Sequence, residues 1–294
     1  MGHVARLRGF PWVVPALALL LVFVYMPLVQ NLLFAFQKWN IYSGVMTWVG
    51  LDNYSAMVRD PVFWRAMSNN VLYALVSIVF QVIFALGLAA LIEGLPRSRM
   101  KGALRAIYFL PAALSLTVCG LLFYFIYEPN VGFLNSLLES IGLGQFAQPW
   151  LGQKTTAIWA IIAMSQWQGF GYSTVLFAIA IQSIPAEINE AATMDGIGPL
   201  QRLWRITVPL VGEMTAVVMI LTVSGAFQVF TEVMVMTLGG PDNSSQVLGS
   251  WLYRSAFRND DFGYAAAIGT VIFAITFTLS VGQLLLARHG RVEW

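Results

Sequence analysis

Ser165, Gln168, Gly169 and Tyr172 stand at i, i+3, i+4 and i+7 inside an otherwise apolar stretch, and Ser224, Phe227, Gln228 and Thr231 repeat that spacing in another. On helices each set shares one face, so amides, hydroxyls and rings are gathered on two stripes. A polar side chain at membrane depth is costly unless it meets a partner or water. Such stripes therefore mark either a solute path or hydrogen bonds between helices, the latter worth about 1 kcal/mol or less each. Glutamine and serine beside Tyr172, Trp167 and Phe227 suit recognition of hydroxyls and ring stacking, and the lack of an arginine in either set argues against a phosphorylated solute.

Covalent chemistry has little to start from. No Gly-x-x-x-x-Gly-Lys-Ser/Thr loop offers a cradle for ATP phosphates, and His3 and His289 lie at opposite ends of the chain. No Cys/His/Asp/Glu set has metal-ligand spacing, and no serine has a histidine nearby to act as its base. The expectation is a protein without catalytic residues, cofactor or metal, and not an enzyme. The single cysteine, Cys119, rules out an internal disulfide and reads as a small buried hydrophobe. Glu213 and Glu232 offer a proton relay for the alternative reading, a proton-coupled secondary transporter or channel. Their places near the two ends of their apolar segment favour an interfacial location.

The elements that would position these stripes follow from composition. Residues are 58% hydrophobic and 10% charged, against about 25% charged in an ordinary soluble domain. Windows long enough to cross a ~30 Å hydrocarbon core fall at about 11–36, 69–93, 106–127, 155–182, 207–235 and 263–287. The prediction is one all-α membrane domain spanning 1–294 with six transmembrane helices. Arg6 and Arg8 precede the first run, but it is too long for a signal peptide and no small-x-small site closes it. Arg6, Arg8, Arg97, Arg99, Lys101, Arg105, Arg202, Arg205, Arg288 and Arg291 all fall on the side of the termini. Lys38, Arg59, Arg65, Lys154, Arg254 and Arg258 fall opposite. Short loops rich in Lys and Arg stay in the cytoplasm, so both termini are expected there. The net charge of +2 is thus topology, with no footprint for nucleic acid, and the basic turn Pro96–Gly102 suits anionic lipid heads.

Between the fourth and fifth apolar segments lies a polar loop, about 184–205. Ser183 can cap a helix there, Pro185 suits its first turn, and Gly196 supplies a residue of positive φ after its end. Pro199 then opens a second helix. Such a compact protruding element is built to be gripped. Glu190-Ala191-Ala192, three residues, Gly196, nine residues, Ile206 and then Pro209 resemble the signature of bacterial ABC importer permeases. Ile206-Thr207-Val208-Pro209 departs conservatively from the family's Ile-x-Leu-Pro.

The resemblance implies the type I (MetI-like) permease fold in the bacterial inner membrane and a coupling loop that plugs into a cytoplasmic ABC ATPase dimer through Glu187, Glu190, Ala191, Ala192, Asp195 and Gly196. It further implies a second permease chain, distinct but homologous, and an extracytoplasmic solute-binding protein as partners, alongside membrane lipid. Relatives that carry maltose place Ser165, Gln168, Gly169, Tyr172, Ser224, Phe227 and Gln228 on the sugar path. Gly50–Tyr54, Asp60–Trp64, Leu238-Gly239-Gly240-Pro241, Trp251–Phe257 and Asp261-Phe262-Gly263-Tyr264-Ala265-Ala266-Ala267 resemble the carbohydrate branch, implying import of an oligosaccharide, disaccharide or related polyol.

Overall fold

The computed structural model describes residues 10–40, 44–95 and 99–289. His3, Arg6, Arg8, Arg97, Arg291 and the Pro96–Ser98 part of the basic turn lie outside the described residues. In chain order, α1 (Trp12–Phe34) leads to the antiparallel hairpin of β1 (Gln37–Trp39) and β2 (Met46–Trp48). There follow α2 (Asp52–Arg59), α3 (Pro61–Gly94), α4 (Arg99–Phe109), α5 (Leu116–Ile126), α6 (Phe133–Ser140) and α7 (Ala157–Gln182). The chain ends in α8 (Ala186–Met194), α9 (Pro199–Leu210), α10 (Gly212–Phe227), α11 (Thr231–Met236), α12 (Leu248–Phe257) and α13 (Phe262–His289).

Among the described residues α1, α3 and α13 are each long and apolar enough to cross a membrane. Three further helix pairs pass the same test of length and composition only when taken together, and each is bent: α4 with its extension to Ala113 meets α5 at 95°, α7 meets α8 at 79°, and α9 meets α10 at 76°. If each pair is one span, the described residues hold up to six by length and composition.

Two expected continuous helices are therefore broken, the first by its own local sequence and the second where a distant side chain intervenes. The stretch 106–127 turns at Leu110–Ala113, a tight 3-10 turn containing Pro111, after which Ser115 caps α5 by accepting the Val118 N–H at 3.3 Å. The stretch 207–235 bends at Val211 and stops at Phe227. In an unbroken helix the Ala226 carbonyl would accept the Phe230 N–H; here the Asn70 amide takes it at 2.6 Å, and the Gln228 N–H folds back to Gly225.

The chain divides into two compact units, Met1–Asp60 with Leu252–Phe273, and Pro61–Trp251 with Ala274–Trp294. In the first, Trp39 packs between Phe34 and Phe262, with ring centroids 4.8 and 5.2 Å away. Asn53 donates to the Ala35 and Gln37 carbonyls at 2.9 Å each, and the Tyr264 hydroxyl donates to Asp60 at 2.6 Å. Gly263 is required by close approach, since a Cβ there would run into the Gln37 carbonyl. Asp60 thus meets the Asp261-Phe262-Gly263-Tyr264 stretch.

The second unit is centred on α3 and α7. Ala85, Ala89 and Ala178 are small enough to let these helices approach closely, while Val82, Leu86, Phe177, Val211 and Val218 fill the core around them. Where α4 crosses α7, a Cβ on Gly171 would collide with the Tyr108 carbonyl. Backbone yields less readily than a side chain, so Gly171→Ala is expected to destabilise the unit by about 1–3 kcal/mol. A lower melting temperature at unchanged membrane insertion is the readout, and an unaltered melting temperature would show that this crossing relaxes freely.

Candidate functional site

The loop between α7 and α10 is built as a rigid protrusion. Its first helix begins at an N-cap Pro185 rather than at Ser183, whose hydroxyl instead donates to the Ile179 carbonyl at the end of α7. Its end is closed by two backbone bonds, Gly196 N–H to Thr193 O at 3.1 Å and Ile197 N–H to Ala192 O at 3.0 Å. This pair is the Schellman arrangement, and it needs the positive φ of 71° found at Gly196. Arg202, on α9, donates to the Thr193 hydroxyl at 2.8 Å and braces α9 against α8.

Glu187, Glu190, Ala191, Asp195 and Gly196 are exposed, as is Met194 at 88%. Ala192 differs from the other five expected coupling residues: it is 3% exposed and anchors the helix. Beneath α8 lies a cavity of about 800 Å³ lined by Glu93, Lys101, Asn189, Glu190, Thr193 and Arg202 among others. There Glu93, almost fully buried, pairs with Lys101 at 2.9 Å and with Arg105.

The seven expected path residues separate. On α7, Ser165 and Gly169 turn toward α3: Ser165 is buried against the Tyr73 hydroxyl, and a Cβ on Gly169 would lie 2.8 Å from the Gln81 amide nitrogen. Gln168 and Tyr172 take the other edge of that stripe, with Tyr172 50% exposed and the Gln168 amide donating to Leu114 O at 3.4 Å. On α10, Ser224 shares a hydrogen bond of 3.1 Å with Ser280 of α13, and Phe227 is buried. Gln228 is exposed at the helix end, while Thr231 belongs to the next helix. Gln168, Tyr172 and Gln228 are the ones left open.

A third polar stripe, on α3, connects the others. Asn70, Tyr73, Ser77 and Gln81 recur at three- and four-residue steps, the first three buried and Gln81 half-buried. The Tyr73 hydroxyl donates to Glu232 at 3.3 Å, the Gln166 amide to Ser77 at 3.0 Å, and the Gln81 amide to Gln166 at 3.0 Å. Glu232 is 5% exposed and is held inside the bundle by a neighbouring phenol. This stripe was available to the same periodicity argument that found the other two; its signal is the spacing of Asn70, Tyr73, Ser77 and Gln81 within an apolar run.

At the far end of α5, Glu128 accepts the Val131 N–H at 2.6 Å and the Asn130 N–H at 2.7 Å, which hold its carboxyl below the ordinary 4.5. Because the folded value is depressed, the native turn binds fewer protons than the open one. Its stability is present above the ordinary value and is lost as pH falls through the depressed one. Hydrogen exchange at Val131 is therefore expected to quicken, beyond the intrinsic pH effect, as pH is lowered below 4.5; Glu128→Gln should remove that excess.

The fold and loop together define a polytopic membrane protein with a short, exposed helix closed at its end between two of its longer ones. Residues 82–291 match the family described as binding-protein-dependent transport system inner membrane component, and the chain belongs to that family. It is 45% identical to the probable ABC transporter permease protein YurN of Bacillus subtilis, over 98% of each chain. It is 33% identical to the diacetylchitobiose uptake system permease protein NgcF of Streptomyces coelicolor, over 92% of this chain and 80% of that one. To the lactose transport system permease protein LacF of Rhizobium radiobacter it is 32% identical, over 97% and 95%. A chain of a bacterial ABC transporter that imports alginate shares the fold with a TM-score of 0.84, covering 95% and 94% at 22% identity.

Proposed function

We propose that this chain is one of two permeases enclosing the translocation path of a sugar importer in the bacterial inner membrane. A cytoplasmic ATPase dimer drives it and an extracytoplasmic binding protein delivers the solute. The observation that carries this reading is the rigid, exposed α8 with its Schellman end in a chain of the binding-protein-dependent family. Glu187, Glu190, Ala191, Asp195 and Gly196 face the ATPase, and Ala192 anchors them. Closure of the ATPases on ATP pulls the loop and shifts the population of inward-facing and outward-facing states. Relatives named for diacetylchitobiose and lactose transport support a hydroxyl-rich oligosaccharide as cargo.

Purification in mild detergent tests the assembly, and uptake in vesicles tests the energy source. Retention of an ATPase and a second permease, with sugar uptake that needs ATP and survives a protonophore, is the expected result. Uptake that ignores ATP and collapses with the proton gradient would establish the proton-coupled reading instead. Orientation has its own readout: in a Cys119→Ser background, Asp195→Cys should resist an impermeant thiol reagent applied outside, and Asp242→Cys should react.

Gln168, Tyr172 and Gln228 contact the solute in this reading, and Ser165, Gly169, Ser224 and Phe227 shape the wall behind them. One neutral hydrogen bond is worth about 0.5–1.5 kcal/mol, so Gln168→Leu should slow uptake about two- to tenfold. Adding Gln228→Leu should nearly stop it at unchanged complex yield; normal uptake in that double variant would leave both amides as helix linkers.

A further inference from the structure

Within that path, α7 has a notch. Gly169 lacks a Cβ, and one built there would meet the Gln81 amide nitrogen at 2.8 Å and its carbonyl oxygen at 3.5 Å. The side chain of Gln81 therefore fills the place that a residue at 169 would occupy. Gln81 reaches it from the seven-residue π-helical segment of α3, Ile78–Phe84, a widened turn of the kind that re-aims side chains at working sites. Its nitrogen is committed to the Gln166 carbonyl oxygen at 3.0 Å, and Gln166 in turn donates to Ser77. These three groups form a chain of hydrogen bonds with one direction. Its free end is the Gln81 carbonyl oxygen, which accepts no hydrogen bond from the described residues. Ser77 and Gln166 are buried at 1% and 4%, whereas Gln81 is only half-buried. Its open acceptor thus lies beside Gly169, one residue along from Gln168 and three from the exposed Tyr172.

We propose that Gln81 is a specificity-determining residue of the solute path, presenting its amide carbonyl through the Gly169 notch to a hydroxyl of the sugar. The inference rests on the reading of Gln168 and Tyr172 as path residues, and adds α3 to the walls. The Ser77–Gln166–Gln81 chain fixes the direction of the acceptor in advance, which spares the ordering cost that a free glutamine would incur on binding. Because Gln81 approaches through a gap of one missing methyl, the size of residue 169 and the length of residue 81 set which hydroxyl it meets.

Accessibility of a thiol tests this in the complete transporter reconstituted in vesicles, in a Cys119→Ser background. Gln81→Cys should react with a charged maleimide about as readily as Tyr172→Cys, while Ser77→Cys stays silent. A silent Gln81→Cys beside a reactive Tyr172→Cys overturns the inference and leaves the path reading standing; a silent Tyr172→Cys sinks the path reading itself. A second variant removes the question of folding. Gln81→Asn keeps the amide but withdraws it by one methylene, so the half-saturating concentration for whichever of lactose, diacetylchitobiose or arabinotriose the vesicles accumulate should rise about two- to tenfold. The maximal rate should hold. An unchanged half-saturating concentration, or a fall in maximal rate alone, would make Gln81 a strut between α3 and α7.

Discussion

Gly196→Pro is expected to abolish uptake while the helices still insert. Proline fixes φ near −65° and has no N–H, whereas this position sits at 71° and donates to Thr193 O at 3.1 Å. Both features of the Schellman end are lost together, at a cost of about 3 kcal/mol or more, and α8 then points away from its partner. Gly196→Asn tests that geometry separately, because asparagine tolerates positive φ and keeps the N–H; it should retain a substantial share of activity. Glu190→Arg approaches the same interface from the other side, putting the wrong charge on an exposed face of α8 while the backbone is untouched. Uptake in vesicles, measured beside ATPase retention, reads all three. Normal transport by the proline variant would remove the loop from the mechanism.

That loop was largely legible in the sequence because its determinants are local. A proline, a glycine of positive φ and a second proline within one short polar run specify helix, turn and helix without help from the rest of the chain. The helix break after Phe227 was not legible, and the reason is equally physical. Nothing between Phe227 and Thr231 forbids a helix; the helix stops there because Asn70, some 156 residues earlier, takes the Ala226 carbonyl. The candidate path was read partly for the same reason. Helical spacing placed Ser165, Gln168, Gly169 and Tyr172 on one stripe, but a stripe about 100° wide has two edges. Which edge faces α3 depends on Tyr73 and Gln81, and those are known only once α3 and α7 are packed together.

The break itself supplies the second large effect. Asn70 is fully buried, and its amide spans two helix ends: the nitrogen donates to the Ala226 carbonyl in the last turn of α10, and the oxygen accepts the Leu248 N–H at 2.8 Å in the first turn of α12. Helix ends leave such groups without internal partners, and here both partners come from one side chain. Asn70→Leu keeps the approximate volume and strands both. An unsatisfied buried polar group costs about 1–3 kcal/mol, so the pair should cost roughly 2–6 kcal/mol, enough to unfold the segment from α11 to α12 locally or the unit as a whole. The neighbouring Asn69 gives a built-in comparison. It donates to the Ser244 and Gln246 carbonyls at 2.9 and 2.8 Å, so Asn69→Leu strands acceptors only. Buried carbonyls with a lone pair unused are tolerated more often than orphaned N–H groups. The Asn70 variant should therefore melt at a lower temperature than the Asn69 variant, although both lose two hydrogen bonds. Equal losses would mean that the Leu248 N–H finds a new acceptor, and that α10 and α12 are joined by packing alone.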